Sequence, residues 1–308
     1  AAICHGTGLR QVKKNSLERD YILAHIKELD MVFCLHREQR EEISRIYGVP
    51  GERLEVIGSG FDDSIFRYMP VQKENGVKRL IYAGKLSEKK GVMSLLRSLT
   101  YLEQLQRKDG EQQGQGIGQP AAPMKIEVWL AGGYGNQLEY ETIKKLADQS
   151  PYPVKFLGRL AQPQLAERMN QADVFVLPSF YEGLPLVVIE ALACGLQVVC
   201  TDLPGVRPWL EENIGTCAVR FVPLPAIVNA DEPVEQELPQ FERRLAEAIA
   251  ESLGADGSRQ GPDGRPPETP GGESLAAAGP SIASPLPDLS RISWTGISRK
   301  ILESCNLI

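Results

Sequence analysis

The sequence predicts an α/β protein with one complete doubly wound, Rossmann-like domain, preceded by part of a second Rossmann-like unit. Three observations predict it. From Arg79 onward, short apolar and β-branched runs alternate with helical patterns, and runs apolar on both faces suit a parallel sheet covered by helices. A smaller strand and helix alternation occupies residues 1–70. Glycines follow the ends of several predicted strands, at Gly84, Gly132-Gly133 and Gly158, on the edge where such sheets hold ligands.

The first unit is expected to contain a strand ending near Cys4, a helix from Leu17 to Leu29 and a strand over Met31–Leu35. A helix over Glu38–Tyr47 and a strand over Leu54–Ile57 complete it. The second unit, residues 78–253, opens with a strand over Leu80–Ala83 and a helix from Gly91 to Leu105. Strands over Lys125–Ala131 and Val154–Leu157 alternate with helices over Gln137–Ala147 and Gln164–Gln171. The strand Val174–Leu177 leads to a helix over Leu186–Cys194, with Pro185 at a first helical position that tolerates a missing N–H, and then to a strand over Val198–Cys200. Arg107–Pro123, rich in Gln and Gly, and the Gly, Pro, Ser and Ala-rich stretch within 254–290 do not read as folded. A helical pattern returns over Arg291–Leu302, inside a last segment of residues 291–308.

At 308 residues the chain holds two domains of ordinary size. Its net charge of −6 argues against nucleic acid as a partner held by bulk electrostatics, though a local basic cluster can still bind a small polyanion. No apolar run approaches the roughly 18 to 20 residues of a membrane span, so the expected address is the cytoplasm. The six cysteines, Cys4, Cys34, Cys194, Cys200, Cys217 and Cys305, sit mostly in apolar stretches without metal-ligand spacing and are expected to be buried free thiols. No metal ligand set is expected; the pair Asp62-Asp63 is a turn feature rather than a metal site.

The stretch Pro178-Ser179-Phe180-Tyr181-Glu182-Gly183-Leu184-Pro185, followed by the helix carrying Glu190, places two carboxylates eight positions apart across a loop-to-helix junction. Glu190 lies about five residues along the helix, roughly 7 to 8 Å up its axis, so the two can hold different parts of one extended ligand. The amides of Gly183 and Leu184 offer donors to the same space. A carboxylate on the apolar helix Leu186–Leu192 needs a partner to justify its desolvation, so Glu190 reads as a functional residue. No Gly-x-Gly-x-x-Gly follows an early strand, which argues against a dehydrogenase.

This spacing resembles the Glu-x7-Glu signature of retaining GT-B glycosyltransferases of the family 4 type. Gly84-Lys85-Leu86 with Lys90-Gly91 is similar to that family's phosphate motif, and Ser59-Gly60-Phe61-Asp62 to its Asn-Gly-Val-Asp turn. Leu130-Ala131-Gly132-Gly133, Phe156-Leu157-Gly158-Arg159 and Thr201-Asp202 with Pro204-Gly205 follow in the same order. The resemblance implies transfer of a sugar from a nucleotide-diphosphate sugar to an acceptor, a sugar, lipid-linked sugar or small molecule, with retention, without a metal and without a cofactor. Lys85 and Lys90 would hold the diphosphate with Gly60 close by, and lysine at Lys85 keeps the charge of the family's usual arginine without its two-pronged geometry. Glu190 would take the ribose hydroxyls, and Gly158, Arg159 and Leu160 would flank the base. Glu182, with Gly183 and Leu184, would hold the sugar, and His5 would face the cleft near it. The glycine-rich opening of the family's first domain is absent, which implies a shortened acceptor side, and the last segment is similar to the helix that crosses back onto that domain. The acceptor brings the expectation of peripheral contact with the inner face of the membrane. The alternatives are a catalytically silent nucleotide-sugar-binding or scaffold module and a GT-B sugar-nucleotide epimerase.

Overall fold

The computed structural model describes residues 1–4, 16–113, 124–215, 218–229, 231–254 and 289–305. His5, Cys217, residues 114–123 and almost all of the Gly, Pro and Ser-rich stretch, residues 255–288, lie outside them. The first unit comprises β1 (Ala2–Ile3), α1 (Ser16–His25), β2 (Val32–Cys34), α2 (Arg37–Tyr47) and β3 (Leu54–Val56). Its strands form a parallel sheet in the order β1-β2-β3. Alternation along β2 divides two small cores: Val32 and Cys34 pack with Ile43 and Tyr47 of α2, whereas Phe33 points to the other side.

The second unit comprises β4 (Val77–Ala83), α3 (Val92–Gln113), β5 (Lys125–Ala131), α4 (Gln137–Asp148), β6 (Val154–Gly158), α5 (Gln162–Gln171), β7 (Val174–Leu177), α6 (Leu186–Ala193), β8 (Gln197–Thr201), α7 (Val206–Asn213) and β9 (Val219–Val222). A short hairpin, β10 (Ile227–Val228) and β11 (Glu232–Pro233), precedes α8 (Leu238–Gly254). The six strands run parallel in the order β6-β5-β4-β7-β8-β9. The order reverses between β4 and β7, where Leu80 lies opposite Val174, and sheets of this kind carry their ligand crevice outside the strand ends at such a point. Right-handed crossovers put α3 and α4 on one face and α5 to α7 on the other. Leu80, Ile81, Val176 and Val198 are fully buried, as strands covered on both faces require.

Three elements differ from the sequence-based expectation. Helix α3 runs to Gln113, well into the stretch expected to be unfolded, because its buried Val92, Leu95, Leu96, Leu99 and Leu102 anchor it and residues 103–108 beyond them are good helix formers joined by an Arg107–Glu103 pair at 2.7 Å, which carries the helix over the weaker Asp109-Gly110. Pro185 is the residue before α6, held extended at ψ 98°, rather than its first member. The segment after β8 folds further than the sequence patterns indicated, adding α7, β9, the hairpin and α8, whose Phe241, Leu245 and Ile249 are fully buried.

After α8 the described chain resumes at Leu289 and enters α9 (Trp294–Ser304). This helix joins the first unit. Ile297 packs with Phe33 and Ile57, the Trp294 N–H donates to the Phe61 carbonyl at 3.0 Å, and Lys300 Nζ donates to the Val56 carbonyl at 2.6 Å. Among the described residues no cysteine forms a disulfide; Cys34, Cys194 and Cys200 are buried as expected, which pushes each thiol up to about 12, whereas Cys4 and Cys305 are only half-buried. Among the described residues no helix is long and apolar enough to cross a membrane.

Candidate functional site

The crevice edge begins where β4 ends. Tyr82, fully buried, donates its hydroxyl to the Lys85 carbonyl at 2.8 Å and so pins the exposed turn Gly84-Lys85 from beneath. Burial beside Glu182 holds that phenol well above its ordinary pKa, so it is a donor at any working pH. The chain then makes one tight turn, Glu88–Lys90, before α3. Gly91 closes this turn at φ 70°, and a Cβ there would collide with the Pro178 carbonyl. Only glycine lets the Lys90 turn seat this closely on the loop after β7.

That loop carries Glu182, whose Oε1 accepts from Lys90 Nζ at 2.6 Å, with both side chains partly buried. The Phe180 N–H donates to the Lys89 carbonyl at 3.1 Å, joining the two loops by backbone as well. The structure thus brings together Lys90 and Glu182, which stand 92 positions apart in sequence. Glu190, on α6, is 9% exposed, and its carboxylate has no hydrogen bond or ion pair among the described residues. Desolvation pushes its pKa up to about 7. A buried, unpartnered carboxylate is costly and calls for a ligand that supplies donors. Leu184 is buried and Gly183 half-buried beside Glu182.

Backbone hydrogen bonds knit the neighbouring strand ends: Gly84 N–H to the Ala131 carbonyl, Leu86 N–H to that of Gly133, and Gly132 N–H to that of Gly158, at 2.9, 2.8 and 2.7 Å. At Gly132, with φ 149°, a Cβ would strike the Gly84 carbonyl. Beside these loops lies a cavity of about 460 Å³, lined by Leu86, Gly133, Tyr134, Tyr140, Phe156 and Arg159, among others. Tyr134 and Tyr140 stack with centroids 4.0 Å apart, and Phe156 meets Tyr140 edge-on. Gly158 and Arg159 are exposed at its rim, Leu160 is half-buried, and Lys85 extends over Gly135.

Gly60 has surroundings other than those expected. It is buried against Trp294, and a Cβ there would meet the indole at 2.7 Å, so its small size lets α9 pack here. Asp62 caps its own turn by accepting from Ser64 N–H at 3.0 Å and Ser64 Oγ at 2.5 Å. A larger cavity, about 720 Å³, lies along α7 between it and the first sheet, and Gly205 is the one motif residue above that lines it. Sequence patterns missed Tyr82, the Tyr134–Tyr140 stack, and Ser179, whose Oγ is buried without a partner in the Glu182 loop. The Pro-Ser pair at the strand end was the one available signal for Ser179.

Comparison with known proteins agrees with this geometry. The family model described as "Glycosyl transferases group 1" matches residues 77–223. A glycogen synthase of Mycobacterium tuberculosis is 24% identical over 180 residues, covering 58% of this chain and 39% of that protein. A D-inositol 3-phosphate glycosyltransferase of Pseudarthrobacter chlorophenolicus is 28% identical over 172 residues, covering 53% and 37%. The match thus spans about two fifths of the length of these relatives. Among solved structures, HepE of Anabaena in complex with UDP and glucose aligns with a TM-score of 0.55 at 16% identity, over 96% of this chain and 68% of that one. WaaG, a glycosyltransferase involved in lipopolysaccharide biosynthesis, aligns with a TM-score of 0.52 at 17% identity, over 82% and 69%. Residues 77–223 are therefore a glycosyl transferases group 1 domain, carried on the α/β architecture of GT-B glycosyltransferases.

Proposed function

We propose that this chain binds a nucleoside-diphosphate sugar and serves a glycosyltransferase that passes the sugar to an acceptor hydroxyl with retention at the anomeric carbon. The observation that carries this reading is the Lys90–Glu182 pair at 2.6 Å, at the point where strand order reverses, with the unpartnered Glu190 on the next helix. Transfer breaks the bond from the anomeric carbon to the diphosphate and forms one to the acceptor oxygen, whose proton passes to the departing phosphate. Negative charge grows on the leaving diphosphate, and Lys90 and Lys85, aided by the N-terminal end of α3, would stabilise it without a metal or cofactor. Glu182 would accept hydrogen bonds from the sugar hydroxyls while staying close to Lys90, so that one pair spans the bond that breaks. Glu190 would accept from both ribose hydroxyls, which supplies the partners its burial lacks. The cavity rimmed by Gly158 and Arg159 suits the base, with Tyr134 and Tyr140 as apolar faces and Leu160 next in the chain. His5 keeps only the role that the family resemblance implies.

HepE structures hold UDP and UDP-glucose, which supports a nucleotide-sugar donor without identifying the base or sugar for this chain. The acceptor is a sugar, a lipid-linked sugar or a small molecule, and in the second case brings the protein to a membrane surface. The test is calorimetric titration of the 308-residue chain with UDP, ADP and GDP, each beside its nucleoside. One diphosphate is expected to bind clearly better than its nucleoside. No affinity for any of the three would falsify the donor assignment, and donor binding without transfer to any sugar or lipid-linked acceptor would favour the silent module.

A further inference from the structure

Lys89, beside Lys90 in the same tight turn, has an unusual partner. Its Nζ lies 2.9 Å from Oδ2 of Asp231, in the turn of the β10–β11 hairpin and 142 positions away. Asp231 is 0% exposed, whereas the Lys89 side chain is about half exposed. A fully buried carboxylate is expensive, and a half-exposed lysine has no need of one. The pair with Lys89 offsets part of the desolvation cost of Asp231, and it does so in one particular placement of the turn. Two other contacts hold the same turn to the β7–α6 loop, and a third ties that loop to α8. The Lys89 carbonyl accepts from the Phe180 N–H, Gly91 abuts the Pro178 carbonyl, and Phe180 in turn packs on Phe241 of α8 with centroids 5.5 Å apart. Hairpin, α8, the β7–α6 loop and the lysine turn thus form one strut, and its outer end is the Lys90–Glu182 pair.

We propose that Asp231 is a positioning residue for diphosphate recognition: by holding Lys89 it fixes the backbone turn that presents Lys90 to the leaving group. The inference rests on the nucleoside-diphosphate reading above. It assigns a role to the segment after the group 1 domain match, which ends at residue 223. Holding Lys89 on Asp231 also keeps a second ammonium from competing with Lys90 for the phosphates, so charge at the crevice is set by position rather than by count.

The test is a double-mutant cycle with Asp231→Asn, Lys89→Ala and the pair combined. Binding is read by calorimetry with whichever of UDP, ADP and GDP the wild type takes, and with the matching nucleoside. Each single variant is expected to lose about tenfold in diphosphate affinity and nothing for the nucleoside. The double variant is expected to lose no more than either single one, because both break the same link. The ³¹P resonances of the bound diphosphate should shift in all three, a signature that general loosening of the fold would not give. Lys89→Ala truncates a half-exposed side chain and keeps the test alive should Asp231→Asn fold poorly. Unchanged affinity, equal losses for nucleoside and diphosphate, or additive losses would each overturn the proposal. So would tighter binding by Asp231→Asn, since Lys89 would then be a phosphate ligand held in reserve. If the wild type takes no diphosphate, the donor reading fails first and is distinguishable from all of these.

Discussion

Glu190 shows how one residue can trade stability for a ligand. Its folded pKa of about 7 lies above the ordinary 4.5, so the native state holds the proton more tightly than the unfolded chain. The group costs nothing below pH 4.5, and stability is lost as pH rises through 7, by roughly 3 kcal/mol in full. Glu190→Gln should therefore match the wild type near pH 4 and exceed it by up to about 3 kcal/mol at pH 8, read by urea unfolding at both pH values. The same substitution should weaken nucleoside-diphosphate binding at pH 8, where the wild-type carboxylate is ionised, by on the order of 1.5 to 3 kcal/mol. A variant as unstable as the wild type at pH 8 would show that Glu190 is partnered in solution. Lys90→Ala tests the other end of the ligand: affinity for the diphosphate should fall at least tenfold while that for the nucleoside holds, and equal losses would make Lys90 a surface residue. Both residues stood out in sequence, Glu190 because it interrupts an apolar helix. Asp231 did not, since an acidic residue in a turn looks solvated until its burial is seen.

At the scale of elements, the site depends on turns that glycine permits. The Lys90 turn cannot sit on the β7–α6 loop with any side chain at Gly91, given φ 70° and the Pro178 carbonyl in the way. Gly91→Ala should cost about 2 kcal/mol or more in thermal or urea unfolding and should abolish diphosphate binding, because the turn must move off the Glu182 loop to make room. Wild-type affinity in that variant would mean that the two loops need not touch. Strand identities were legible because buried parallel strands read as short β-branched runs, as at Val174–Leu177. Helix ends were less so. The polar tail of α3 gives no apolar period, and whether it stays helical is decided by the anchored turns before it.

Across the whole molecule, the ties between the two units include the Arg37–Glu212 pair at 2.8 Å, the seats of Gly58 on Trp209 and Gly205 on His36, and Leu35 and Phe61, which pack in the core of the second unit. The surface pair is exposed at both ends and contributes little, so apolar packing dominates, and α9 adds to it on the first sheet. Ile297, 4% exposed between Phe33 and Ile57, is the centre of the α9 contact. Ile297→Ala should lower stability by about 2 to 4 kcal/mol, or split urea unfolding into two transitions, and should leave nucleoside-diphosphate affinity unchanged because every proposed ligand contact except His5 lies in the second unit. A parallel loss of affinity would mean that the first unit shapes the donor site.

Local sequence determined much of this protein. Strand and helix alternation, the glycines at strand ends and the carboxylate on an apolar helix follow from side-chain size, polarity and period, which act within a few residues. The ordered motifs added the family, since their spacing reflects one crevice that collects several strand ends. Only the tertiary structure decided which distant groups meet: Lys90 with Glu182, Lys89 with Asp231, Gly60 with Trp294, and α9 with the first sheet. Each of these contacts spans some 90 residues or more, and no local period records it. Burial is likewise a property of the packed whole, and it is burial that separates the costly, unpartnered Glu190 from an ordinary surface glutamate.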